Sequence, residues 1–208
     1  MQRMCLVFIF CFLPGILFAQ MNVADASDSK WSFSMEGYYY FIPGDKNSLT
    51  VIGEADHKRL HLETRYNYES QNTASAFAGW QFKTGKSFKF SATPMAGIAF
   101  GNTNGFVPAI ELNATYKIFD FYSESEYLIE FAGRENNFFY TWSELAVSPF
   151  DFLRTGISVQ RTLLYQTKLA IQRGVFAQYS FWKLTAGAYY FNPFSENNLV
   201  IASLNIDF

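Results

Sequence analysis

Residues 58–69 read KRLHLETRYNYE, and the alternation in this stretch decides the fold. At period two Arg59, His61, Glu63, Arg65, Asn67 and Glu69 fall on one face, and Leu60, Leu62, Thr64, Tyr66 and Tyr68 on the other. Successive side chains of a strand point to opposite faces, so this is a strand with one charged face and one apolar, aromatic face. A soluble sandwich would bury the apolar face and wet the charged one. A closed membrane barrel does the reverse, turning the apolar face to lipid and enclosing the charges.

The rest of the chain favours the barrel. It is 50% hydrophobic and 20% aromatic but only 16% charged. Yet no run beyond residue 20 approaches the roughly 18 to 20 apolar residues of a spanning helix. Apolar and polar residues are finely interleaved, which suits strands. Twelve segments can be laid out, at 31–42, 48–54, 58–69, 74–83, 87–100, 106–117, 119–131, 137–147, 152–162, 168–179, 183–191 and 198–208. Gly, Asn, Asp, Pro and Ser punctuate them, as turns require. The count falls to ten if 48–54 is a loop. A soluble periplasmic β-sandwich is the architectural alternative.

An even count places both termini on one side, the periplasmic side for such barrels. PGDKN, SQNT, GNTNG, GRENN, 163–167 and PFSENN then point outward, and ADH, TGK, Ile118, SPFD and 180–182 are periplasmic turns. Two residues misfit. Pro94 sits mid-strand and cannot donate to a ladder, so a bulge is expected there. Arg173 falls on the outward face of its strand, which a bulge near Gly174 or an interfacial position would explain.

Residues 1–20, MQRMCLVFIFCFLPGILFAQ, combine Arg3, an apolar run and Ala19, the layout of a secretory signal cleaved near Ala19 or Gln20. Residues 21–208 then form a single outer-membrane domain. Cys5 and Cys11, the two cysteines of the chain, both lie in the signal. A mature chain without cysteine has no disulfide, thiolate nucleophile or Cys-ligated metal. The net charge of −2 and the absence of a basic run argue against nucleic acid as a partner.

The C-terminal LVIASLNIDF resembles the terminal signature of Gram-negative outer-membrane β-barrel proteins, an alternating strand ending in Phe. That resemblance implies the barrel-assembly machinery as a partner through the strand ending at Phe208, with outer-membrane lipid around the wall. TPMAGIAFGNTNGFVPAIELNATYKIFDFYSESEY (93–127) and FFYTWSELAVSP (138–149) also resemble a family of small bacterial outer-membrane proteins of no assigned activity. The likeness carries no catalytic residue with it.

The inward phase of the strands collects Arg59, His61, Glu63, Arg65, Glu69, Glu111, Lys117, Glu124, Glu126, Glu130, Lys168 and Lys183, with Glu36 and Glu144 joining them. Of these, Arg59, His61, Glu63, Arg65, Glu111, Lys117, Glu124, Glu126, Glu130, Glu144 and Lys168 are the candidate lumen lining. They would set the selectivity of a pore, or interlock as an Arg–Glu network that fills the barrel. Twelve strands lie between the filled eight-stranded barrel and the sixteen-stranded channel. Tyr38, Tyr40, Tyr122, Tyr140 and Trp142 add bulk to the interior.

His57 and His61 lie about 13 Å apart along a strand, too far to share an ion. Neither belongs to a lipid-facing Ser–His pair, so no catalytic residue is assigned. Glu124 and Glu126, about 7 Å apart, could do acid–base work or hold a divalent cation, but ion pairing with Arg59, Arg65 or Lys117 accounts for them more simply. Trp31, Tyr39, Phe41, Trp80, Phe82, Phe100, Phe119, Phe121, Phe138, Phe139, Trp182 and Phe208 fit interfacial girdles.

The sequence therefore reads as an all-β, antiparallel transmembrane barrel of about twelve strands in the outer membrane. Its leading function is a narrow passive channel for small solutes, with no cofactor and no metal. A closed-lumen structural or interaction barrel comes second, and a membrane-embedded lipid-modifying enzyme third.

Overall fold

In the computed structural model, which describes residues 30–44, 46–134, 137–162 and 170–208, thirteen strands form one antiparallel sheet. They are β1 (Ser32–Phe41), β2 (Ser48–His57), β3 (Leu60–Tyr66), β4 (Thr73–Trp80), β5 (Phe82–Thr84), β6 (Phe88–Gly101) and β7 (Gly105–Tyr116). β8 (Phe119–Glu130), β9 (Phe138–Phe150), β10 (Leu153–Arg161), β11 (Ile171–Phe181), β12 (Leu184–Phe191) and β13 (Leu199–Asp207) complete it. Each strand except β4 and β5 pairs with its neighbours in sequence, β4 and β5 both pair with β6, and β1 pairs with β13, so the sheet closes. Closure leaves no free edge. The residues 1–29 that include the expected signal, and Lys168 of the expected lining, lie outside the described residues.

The barrel has twelve staves, because β4 and β5 are two pieces of one. Gly79 faces Met95 and Phe82 faces Ala92, a single unbroken register against β6. The gap between the pieces falls where Trp80 would face Pro94. Pro94 therefore makes no bulge: its missing N–H interrupts the ladder on the β4 side, while its pairing with Ile110 on β7 continues. Pro108 does the same between β7 and β8, where pairing pauses between Phe106 and Ala109. A register shift occurs instead at Leu153/Thr155 against β9, beside Pro149.

Burial alternates along the strands as the bilayer requires. Leu62, Ile98, Leu145, Ile157, Val175 and Leu204 stand exposed on the outer wall, while His61, Glu63, Arg65, Glu111, Glu124 and Glu126 are buried inside. The apolar side of the sheet faces outward, which rules out a sandwich packed on an apolar core. Arg173 is outward too, without a bulge. It is the third residue of β11, its carbonyl accepts from the Asn192 amide, and it sits at the barrel rim. Of the expected girdle residues, Phe138 is buried. Phe138 and Phe139 are neighbours on one strand and cannot share a face.

The turns at the end where β1 begins and β13 ends are tight. Lys58, Lys117 and Trp182 each open a two-residue hairpin connection with positive φ. β2 therefore runs on through Ala55–His57, which the alternation had assigned to a turn, and the turn is Lys58–Arg59. This removes Arg59 from the inner face. Lys117 leaves it for the same reason: it is an exposed turn residue whose ammonium lies 5.3 Å above the Tyr116 ring.

Candidate functional site

The interior divides into two halves. Near the longer loops it is packed solid around Arg65. Arg65 Nε donates to Glu63 Oε1 at 2.6 Å and Nη2 to Glu63 Oε2 at 2.9 Å. Nη2 also lies 2.5 Å from Glu124 Oε1, and Nη1 lies 2.8 Å from Glu126 Oε2 and 4.0 Å from Glu69 Oε1. One guanidinium is thus shared by four carboxylates. The rings of Tyr68 and Phe77 cover it at 4.4 and 4.2 Å. Gly97 makes room for this arrangement, since a Cβ there would come within 2.3 Å of the Phe77 ring.

Strict alternation puts Tyr68 outside, yet it is buried and its hydroxyl donates to Glu124 Oε2 at 2.6 Å. The reason is Asn67, which takes φ 56° and ends β3, with its Oδ1 accepting from the Asn72 amide. Asn tolerates that left-handed conformation. The phase breaks there, so Tyr68 and Glu69 both turn inward. Tyr68 packs on Tyr140 at 4.8 Å, and Trp142, Tyr189, Phe191 and Phe176 continue the aromatic packing. A gap of about 20 Å³ remains beside them, room for a single water molecule. Glu130, at the loop end of β8, has one carboxylate oxygen buried without a hydrogen-bond partner.

The half nearer the termini is open. A cavity of about 640 Å³ lies between the staves, lined by acidic groups that include Glu36, Glu54, Asp56, Glu111, Asp120 and Glu144. Against them stand Arg154 and His61. Arg154 Nε and Nη2 donate to Asp120 Oδ1 at 2.9 and 2.6 Å, and Nη1 donates to Glu144 Oε2 at 2.5 Å. Glu144 Oε1 also accepts from Trp142 Nε1 and from the Tyr189 hydroxyl. Among the described residues Glu36, Glu54 and Glu111 have no ion pair.

Of the expected lining, His61, Glu63, Arg65, Glu111, Glu124, Glu126 and Glu144 thus come together inside the barrel. Arg59 and Lys117 do not. Sequence reasoning passed over Arg154, Asp120, Glu54 and Asp56. Their phase was readable: Arg154 is two residues from Gly156 and four from Ser158, and Asp120 precedes Tyr122 and Glu124 at the same period. His61 is buried on the inner wall, and among the described residues no Ser hydroxyl bonds either histidine ring.

A comparison with protein-family models finds no match, and a comparison with curated proteins finds none either. Solved structures do match. A KdgM porin aligns with a TM-score of 0.64 at 12% identity, covering 84% of this chain and 99% of that one. A KdgM porin in complex with disordered oligogalacturonate aligns with a TM-score of 0.65, at the same identity and coverage. At that identity the likeness is one of fold: this chain shares the closed β-barrel architecture of these porins.

Proposed function

We propose that the protein is a narrow, porin-like passive channel of the outer membrane that prefers cationic and neutral small solutes. The cavity carries this reading: six carboxylates and two basic side chains line about 640 Å³. Low-dielectric walls focus the field of such a lining and concentrate ions of the opposite sign. The same field repels acidic chains. Oligogalacturonate, bound by the neighbouring porin, is a polyanion, and this lining disfavours it. The constriction is the packing around Arg65, which holds conductance low.

That packing also favours a second reading, in which the lumen stays shut and the barrel is structural. Single-channel recording of the folded protein in a planar bilayer separates the two. The expected result is small discrete steps with cation preference, which Glu36→Gln and Glu54→Gln together reduce. Folded protein that gives no steps would establish the closed barrel. Steps with anion preference would sink the assignment of the lining. Export through the N-terminal signal and assembly through the strand ending at Phe208 are the expected route to the membrane.

A further inference from the structure

At the border of the two halves three side chains form a constellation that neither pore nor seal requires. We propose that His61, Glu63 and Glu111 bind a divalent transition-metal ion of the zinc class on the inner wall. Their ligand atoms all lie within 4.8 Å of one another. The inference needs only the folded barrel and is independent of whether the barrel conducts.

The imidazole is prepared for a metal. His61 Nδ1 lies 2.9 Å from Asp56 Oδ1, so the neutral ring places its proton there and leaves the Nε2 lone pair free. A carboxylate behind the far nitrogen is the common arrangement for a metal-binding histidine. His61 is 3% exposed, and its Nε2 is buried with no hydrogen-bond partner. That nitrogen faces Glu63 Oε2 at 3.6 Å. In the neutral ring a lone pair would face a carboxylate oxygen there, a contact that either a second proton or a metal ion between them relieves.

The carboxylates are placed for the same purpose. Glu63 is oriented by two hydrogen bonds from Arg65, and Glu111 lies on the cavity wall with the Tyr122 hydroxyl 3.5 Å from Oε1. His61 on β3 and Glu111 on β7 are separated by β4 and β6, and the residue that pairs with His61 is Gly79. A Cβ at Gly79 would lie 2.6 Å from Met95 Cγ and 3.1 Å from Thr93 Cγ2, so the glycine lets those two side chains lie flat against the wall between His61 and Glu111.

A tetrahedral zinc ion, with ligand bonds of about 2.0–2.2 Å, draws its ligand atoms to about 3.4 Å of one another. The histidine and Glu63 are nearly there, and Glu111 closes the remainder by turning its carboxylate over the cavity. One nitrogen and two oxygens, with water from the cavity as fourth ligand, suit zinc and its neighbours better than calcium, which takes six to eight oxygens.

The test uses the folded protein in detergent, purified without a polyhistidine tag and stripped with chelator. Calorimetric titration with zinc chloride should show one saturable site per barrel, and calcium chloride should not compete for it. His61→Gln should abolish the site, Glu111→Gln should weaken it at least tenfold, and Asp56→Asn should weaken it about 10- to 100-fold. Heat-modifiable gel mobility confirms that each variant is folded. Where His61→Gln does not fold, Glu111→Gln decides. Cobalt bound to the unaltered protein should give the intense visible bands of low-coordinate cobalt, a readout that needs no variant. No saturable zinc uptake would overturn the proposal and leave a doubly protonated imidazole bridging Asp56 and Glu63. So would undiminished affinity in both variants, or a cobalt spectrum identical to the hydrated ion.

Discussion

The two halves of the interior are built from the same residue types and behave differently. Toward the loops, one arginine meets four glutamates with every partner buried, and aromatic rings fill what is left. Toward the termini, another arginine joins Asp120 and Glu144 at the edge of the cavity of about 640 Å³, with its side chain 23% exposed. The difference lies in the neighbours. Bulky Tyr68, Phe77, Tyr140 and Trp142 exclude water from the first cluster, whereas Asn113, Thr115, Ser180 and Thr185 line the second. Burial decides whether charges serve as mortar or as field, because desolvation makes their pairing obligatory in one half and optional in the other.

The sharpest way to break the contrast is Arg65→Met. It keeps the volume and strands Glu63, Glu69, Glu124 and Glu126 without their cation. Removing one partner of a buried pair costs about 3–5 kcal/mol. The expected outcome is a folded barrel with a lower urea midpoint and, in bilayers, larger or noisier steps as water enters the former seal. Adding Glu124→Gln and Glu126→Gln should recover part of the loss, because the uncompensated charge goes with them. A midpoint equal to that of the unaltered protein would show that the aromatic packing alone holds the loop half together.

Much of this contrast was legible in the sequence, and its limits are instructive. The alternation from Leu60 to Tyr66 named the inner face correctly, because a one-residue slip would have put charges into lipid. The misplaced lining residues occur where period two stops. At Lys58, Asn67 and Lys117 a positive φ resets the phase. That takes Arg59 and Lys117 out of the interior and brings Tyr68 in. Pro94 marks an interruption in sequence, but its effect on a neighbouring stave depends on which side its missing N–H faces. Pairing of Glu124 and Glu126 with a basic residue across the lumen is readable from their phase, but the choice of Arg65 over Arg59 or Lys117 is not: Arg65 is about sixty positions from both glutamates and meets them only because the sheet closes.

In the open half the corresponding change is milder. Arg154→Gln removes the guanidinium that links Asp120, Glu144 and Gln178. Water and the remaining donors, Trp142 and Tyr189, can still serve Glu144. The stability loss should be about 1 kcal/mol, the scale of partly exposed ion pairs. Its larger effect is on the field, since six carboxylates then line the cavity without the guanidinium. Cation preference, read as reversal potential under a potassium chloride gradient, should rise. A stability loss equal to that of Arg65→Met would mean that the cavity is as dry as the seal.

Ionic strength gives the smallest effect and separates the halves without a mutation. The Debye length falls from about 10 Å at 0.1 M salt to about 3 Å at 1 M. Carboxylates such as Glu54 and Asp120, which face the cavity, are within reach of mobile ions, whereas Arg65 and its partners are not. Cation preference should therefore fall toward the ratio of bulk mobilities as salt rises, and the urea midpoint should move much less. The comparison can be made in one preparation, with reversal potentials and unfolding curves measured across the same salt series. If both quantities drift together, ions reach the Arg65 cluster, and the interior is one continuous aqueous passage with no division into a seal and a vestibule. If neither drifts, the cavity carboxylates are neutralised by bound protons or metal, and the selectivity of the pore comes from its width alone.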